Sequence, residues 1–173
     1  MGKKKGEDFE SIAQSFQQPK VSPAQLFFYG CIAFVLALIP TFLYVTVFDL
    51  GIMEYAVLYF PVTCAVAAAL VISYNTLAAA SVARLSGIRK NSSVDHKKLN
   101  LKKEELEEVK EHVIFRESVT WSIFFNNLVF ILSFLFIAFY VLRAIPAVYN
   151  YVISMALASV LVWQTSSALA KTK

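Results

Sequence analysis

Four long stretches of the chain are apolar almost without a break, and what separates them is either very short or densely charged. Residues 26–48 form the first stretch, and at about 1.5 Å per helical residue they reach roughly 34 Å, enough to cross a hydrocarbon core of about 30 Å. Asp49 and Gly51 interrupt it, and a second stretch runs from Tyr55 to about Val82, long enough to require tilt or a protruding end. A third covers residues 121–142. Arg143, Pro146 and Asn150 mark a tight turn before the fourth, residues 148–170. None of the four contains Asp, Glu, Lys, Arg or His. The pattern predicts an all-α membrane protein, a bundle of four transmembrane helices at residues 25–48, 55–83, 118–142 and 148–170. Around them it leaves a tail at 1–24, a loop at 49–54, a charged loop at 84–117, a turn at 143–147 and a short tail at 171–173.

Composition agrees with that division. Of 173 residues, 58% are hydrophobic and only 16% charged, well short of the roughly 25% charge of soluble domains. Charge placement then orients the spans. Four Lys or Arg residues precede the first span, nine lie between the second and third, and two end the chain, while Arg143 alone falls on the other side. Cytoplasmic loops carry such an excess, so both termini and the central loop are expected in the cytosol. Tyr55, Tyr59, Tyr140, Tyr149 and Tyr151 gather at the opposite, luminal boundary, with Trp121 and Trp163 toward the cytosolic one, as an interfacial aromatic belt would.

The central loop divides by sign. Arg84, Arg89, Lys90, Lys97, Lys98, Lys102 and Lys103 face a single acid, Asp95, whereas residues 104–117 hold six Glu against Lys110 and Arg116. Leu106, Val109 and Val113 recur three and four residues apart, predicting an amphipathic helix that runs into the third span. The N-terminal tail lacks the apolar run of a cleavable signal peptide, and Gly6 stands where a myristoylation motif wants Ser or Thr. Its Phe9, Ile12 and Phe16, again three and four apart, mark an amphipathic segment suited to a membrane interface.

Catalytic chemistry has no visible carrier, so the chain is not expected to be an enzyme or to hold a cofactor or metal. The two histidines, His96 and His112, lie in the charged loop without cysteine neighbours or paired-ligand spacing. The five glycines form no phosphate-cradling pattern. Cys31 and Cys64 sit in apolar runs, which favours small hydrophobic side chains over a disulfide. Within the spans the amides Asn75, Asn126, Asn127 and Gln164 are expected to join helices to one another or to partner spans by hydrogen bonds, and small residues such as Ala67, Ala68, Ala78 and Ala79 permit close approach. Charge alone leaves the basic half of the loop with two readings: topology determinants held to anionic lipid, or contact with a polyanion such as RNA phosphates.

A resemblance bears on that choice. The block Ser118, Val119, Thr120, Trp121, Ser122, Ile123, Phe124, Phe125, Asn126, Asn127 resembles the entry to the third span in the gamma-subunit family of the translocon-associated protein complex, the signal sequence receptor. Asn150 to Ser154, the tail from Ser166, and Leu26, Phe27, Phe28, Ile39, Pro40, Leu43, Tyr44 with Ala56 to Tyr59 are similar in order and spacing; the central loop is shorter than in animal members. The resemblance implies a multi-pass subunit of the endoplasmic reticulum membrane, seated beside the Sec protein-conducting channel with the alpha, beta and delta subunits and surrounding membrane lipids. It also implies contact with the ribosome, either rRNA or ribosomal proteins, through the loop cations named above. A small four-helix transporter is disfavoured by spans without ionisable groups, and a lipid-binding scaffold would bind anionic liposomes about as well as ribosomes. The orientation carries its own test. Asn91 begins an Asn-Ser-Ser sequon that glycosylation enzymes cannot reach from the lumen, so the protein made in microsomes should show no mobility shift on endoglycosidase treatment.

Overall fold

A computed structural model describes residues 23–90 and 103–171, with side chains apart from those at 89–90 and 103–108. It is an antiparallel bundle of four helices, all long and apolar enough to cross a membrane. Helix α1 is Pro23–Val47, α2 Ala56–Lys90, α3 Lys103–Phe136 and α4 Ala147–Lys171. Proline suits a first helical position, where its missing N–H has no intrahelical partner to lose, and Pro23 occupies it in α1. The same helix ends as Asp49 turns to a φ of 54°, the left-handed conformation that stops a helix after its last turn. Pro40 and Pro61 both lie inside helices.

Packing follows rows of residues four apart. On α3 the row Ile114, Ser118, Ser122, Asn126, Phe130, Phe134, Ala138 is buried, and on α4 the row Asn150, Ser154, Ala158, Val162, Ser166. Rows of this kind form the ridges that interdigitate between helices, and their small members let backbones approach in a solvent that offers no hydrophobic drive of its own. Helices α2 and α4 form the central pair. Helix α1 packs on α2 and more lightly on α4, and α3 packs on both. Outward faces are apolar: Phe27, Phe42, Val57, Leu132 and Phe136 are exposed, as lipid contact requires.

Two helices outrun the membrane. At 35 and 34 residues, α2 and α3 each reach about 50 Å at 1.5 Å per residue, against roughly 30 Å of hydrocarbon. Their excess lies at the end where α1 begins and α4 finishes. Residues 84–90 thus continue α2 as helix, and residues 103–117 continue α3. Ile114 and Ser118 are buried while Val109 and Val113 are exposed, so one face of this projection packs inward and another stays open.

At the opposite end α3 widens into a π-helical turn, Ile137–Val141, where the Leu142 amide donates to the Ile137 carbonyl at 2.8 Å. Asn150, which with Arg143 and Pro146 marks the turn in the sequence, sits in the first turn of α4 and is buried. Its side-chain amide donates to the carbonyls of Ala138 at 3.0 Å and Leu142 at 3.1 Å, acceptors of the kind a helix end leaves without backbone donors. Its Oδ1 accepts from the Tyr44 hydroxyl at 2.9 Å. Replacing Asn150 by Leu should therefore strand both carbonyls and leave the Tyr44 hydroxyl only its 3.4 Å contact with Ser154 Oγ. Thermal unfolding in detergent should show a loss of about 1–3 kcal/mol, with Tyr44→Phe costing less because it leaves both carbonyls capped.

Candidate functional site

Because the bundle is apolar outside, its polar side chains are the informative ones, and they fall into two layers. The layer near the turns joins α1, α2 and α4. Thr41 Oγ1 lies 3.0 Å from the Tyr151 hydroxyl and 3.3 Å from Thr63 Oγ1, Thr63 lies 3.5 Å from Tyr151, and the Tyr44 hydroxyl is 3.4 Å from Ser154 Oγ. The Tyr151 ring stands edge-on to Tyr44 and Tyr59, at 5.2 and 5.1 Å. The aromatic belt expected at this boundary therefore splits. Tyr140 and Tyr149 are exposed as a belt requires, but Tyr59 and Tyr151 are buried core residues: the Tyr151 hydroxyl faces the polar cluster, and Tyr59 packs its ring against Tyr151.

The second layer lies nearer the termini. Tyr74 on α2 donates to Asn127 Oδ1 on α3, its backbone carbonyl accepts from Ser122 Oγ at 2.7 Å, and its ring meets Tyr29 of α1 edge-on at 6.0 Å. Asn126 donates to the Ser122 carbonyl at 2.9 Å and accepts from Ser166 Oγ of α4. The two adjacent asparagines thus do different things: Asn126 is fully buried and ties α3 to α4, whereas Asn127 ties α3 to α2 through Tyr74 on the side toward α1. Beside Asn127 a cleft of about 350 Å³, open to lipid, is lined by Phe28, Cys31, Ile32, Val35, Leu36 and Ile39.

The other amides behave differently. Asn75 on α2 is half-buried, and its Oδ1 has no hydrogen-bond partner among the described residues; the same holds for the Tyr59 hydroxyl and Ser118 Oγ. Gln164 is exposed on α4. Cys31 is exposed rather than buried, Cys64 is half-buried, and both are free thiols.

Of the loop cations, Arg84 is exposed on α2, Arg89 and Lys90 are its last two residues, and Lys103 is the first residue of α3. Lys97, Lys98 and Lys102 lie outside the described residues. The described cations therefore stand on the projecting ends of two helices, beyond the apolar rows. Among the described residues no group of three or more His, Cys, Asp or Glu side chains comes together. The arrangement offers an intramembrane frame cross-linked by hydrogen bonds and a charged projection.

Comparison with known proteins gives the arrangement a context. Residues 8–168 match the model of a family described as translocon-associated protein, gamma subunit (TRAP-gamma). The translocon-associated protein subunit gamma of Dictyostelium discoideum is 32% identical over 141 residues, covering 79% of this chain and 83% of that protein.

The two layers predict unequal costs for the paired asparagines. Asn126→Leu should destabilise the bundle by about 1–3 kcal/mol, since it leaves the buried Ser166 hydroxyl of α4 without its acceptor at a fully buried position. Asn127→Leu, at the edge of an open cleft, should cost less. Equal melting temperatures for the two variants in one detergent would contradict the division.

Proposed function

Given that the chain belongs to the gamma-subunit family of the translocon-associated protein complex, and so is a multi-pass membrane subunit of that complex, we propose that it holds the complex beside the Sec channel and contacts the ribosome through residues 84–117. In this reading it assists co-translational translocation without catalysing a reaction. Both termini and the α2–α3 projection face the cytosol. The bundle packs against the single spans of the alpha, beta and delta subunits, which act on the emerging chain in the lumen.

The observation that carries the reading is the joining of two features in one rigid element. The family match includes all four spans, and α2 and α3 leave the bundle as unbroken helices that end in cations. By their positions in sequence relative to the spans, fifteen of the sixteen Lys and Arg residues are assigned to that side. Ribosomal RNA is the densest polyanion a cytosolic projection at this membrane meets. Each phosphate contact would release counterions and make binding fall steeply with salt.

Reversing the charge of Lys97, Lys98, Lys102 and Lys103 should weaken ribosome binding to reconstituted complex and flatten its salt dependence by roughly 0.7–0.9 log units per lost contact, while membrane insertion stays intact. Binding that is unchanged across several salt concentrations would place the tether elsewhere. Sealed microsomes add a separate check on orientation: protease added outside should cut near Lys98, and shelter of that segment would overturn the cytosolic placement.

A further inference from the structure

The open face of the α3 projection has a defined position relative to α1. Val109 and Val113 are exposed there, and with His112 and Arg116 they line a shallow groove of about 330 Å³. Val109 lies eighteen residues before Asn127, which is five turns at about 3.6 residues per turn, so both point along the same side of α3. Asn127 lines the cleft shared with α1. The groove is thus the outward continuation of the α3 face that α1 meets inside the membrane.

Helices α1 and α3 also run in the same direction, and their contacts give the register. Tyr44 meets Phe134 and Phe48 meets Phe139, offsets of 90 and 91 residues. Tyr29 and Asn127, both on Tyr74, are offset by 98. These offsets place Pro23, where α1 begins, level with α3 somewhere between residues 113 and 121, at the membrane-side edge of the groove. The chain before Pro23 must leave from there.

That chain carries a matching pattern. Phe9, Ile12 and Phe16 have the same three-and-four spacing as Leu106, Val109 and Val113, and each pair is separated by 97 residues, inside the register that α1 and α3 already share. We propose that residues 9–16 dock as a short amphipathic helix in the groove of the α3 projection, parallel to it, with Ile12 beside Val109 and Phe16 beside Val113. Parallel helices joined through such a seam place flanking residues in pairs across it. Here Asp8 falls opposite Lys110, with opposite charges. The intervening residues 17–22 can span up to about 20 Å at roughly 3.3 Å each, ample for the short step from Pro23 to the groove. The docked segment would make the projection three-stranded, covering an apolar face that two helices leave open.

The test uses the full-length protein in ribosome-stripped microsomes, so that its outcome is separate from that of ribosome contact. In a Cys31→Ser, Cys64→Ser background, the pairs Ile12→Cys with Val109→Cys and Phe16→Cys with Val113→Cys should be joined within one chain by a short thiol cross-linker. Their yield should be several-fold above that of Ile12→Cys with Thr120→Cys, which lies three turns out of register on the same face. Asp8→Lys should lower the yield and Lys110→Glu added to it should restore it. Equal yields at all three pairs would overturn the proposal. So would labelling of Ile12→Cys by a membrane-phase reagent in place of cross-linking, which would put the segment on the lipid surface, or cross-links formed only between chains. Val109, Val113 and Thr120 are exposed, so the substitutions leave the bundle core untouched, and resistance to carbonate extraction verifies insertion.

Discussion

The carboxamide of Asn150 uses both ends inside a medium that supplies no hydrogen bonds. Its amide nitrogen holds the carbonyls of Ala138 and Leu142, and its oxygen takes the Tyr44 hydroxyl. Hydrocarbon penalises every unsatisfied polar group by several kcal/mol, so a helix that widens into a π turn near the membrane boundary needs donors brought from elsewhere. One side chain closes the α3–α4 hairpin and ties α1 across it. The remaining order follows from the same requirement: Tyr151 with Thr41 and Thr63, and Tyr74 with Asn127 and Ser122, each satisfy polar groups by bonding between helices. Apolar packing along the rows of small residues fills the space between the layers, and the polar pairs add a fixed partner on each neighbouring helix.

How much of this can be read from sequence depends on the range of the interaction. Span number and the fold class were legible because uninterrupted apolar runs have few other readings. The helical character of residues 103–117 was legible from Leu106, Val109 and Val113. The partners of Asn150 were not, since its bond to Tyr44 joins residues 106 apart and no periodicity carries that. Tyr59 and Tyr151 were assigned to an interfacial belt because the residue type suits both a boundary and a polar core. Spans that are apolar all round give no moment by which to decide which face turns inward. Asn126 and Asn127 illustrate the same limit: neighbours in sequence, they point about 100° apart on a helix, one into α4 and one toward α1.

The cations raise a different question, because their placement was clear in sequence while their support was not. A charged loop of 34 residues could be a flexible tether between spans. Instead, α2 and α3 carry their helical structure out of the membrane, and the buried row on α3 extends through Ser118 to Ile114. The projection is therefore packed by the same row of residues that packs the bundle.

That continuity matters for a subunit whose proposed role is to fix position. A flexible linker lets a bound ribosome wander over a distance that grows with the square root of its length, and the effective concentration of one site at another falls accordingly. A helix anchored by Tyr74, Asn126 and Asn127 within the membrane transmits direction as well as distance. Contact at its tip then constrains the orientation of the bundle, and any partner packed on the lipid-facing surface is constrained with it. On this view the polar layers are what make the charged tip useful, since cations on a loosely packed hairpin could bind a polyanion but could not place a neighbouring channel.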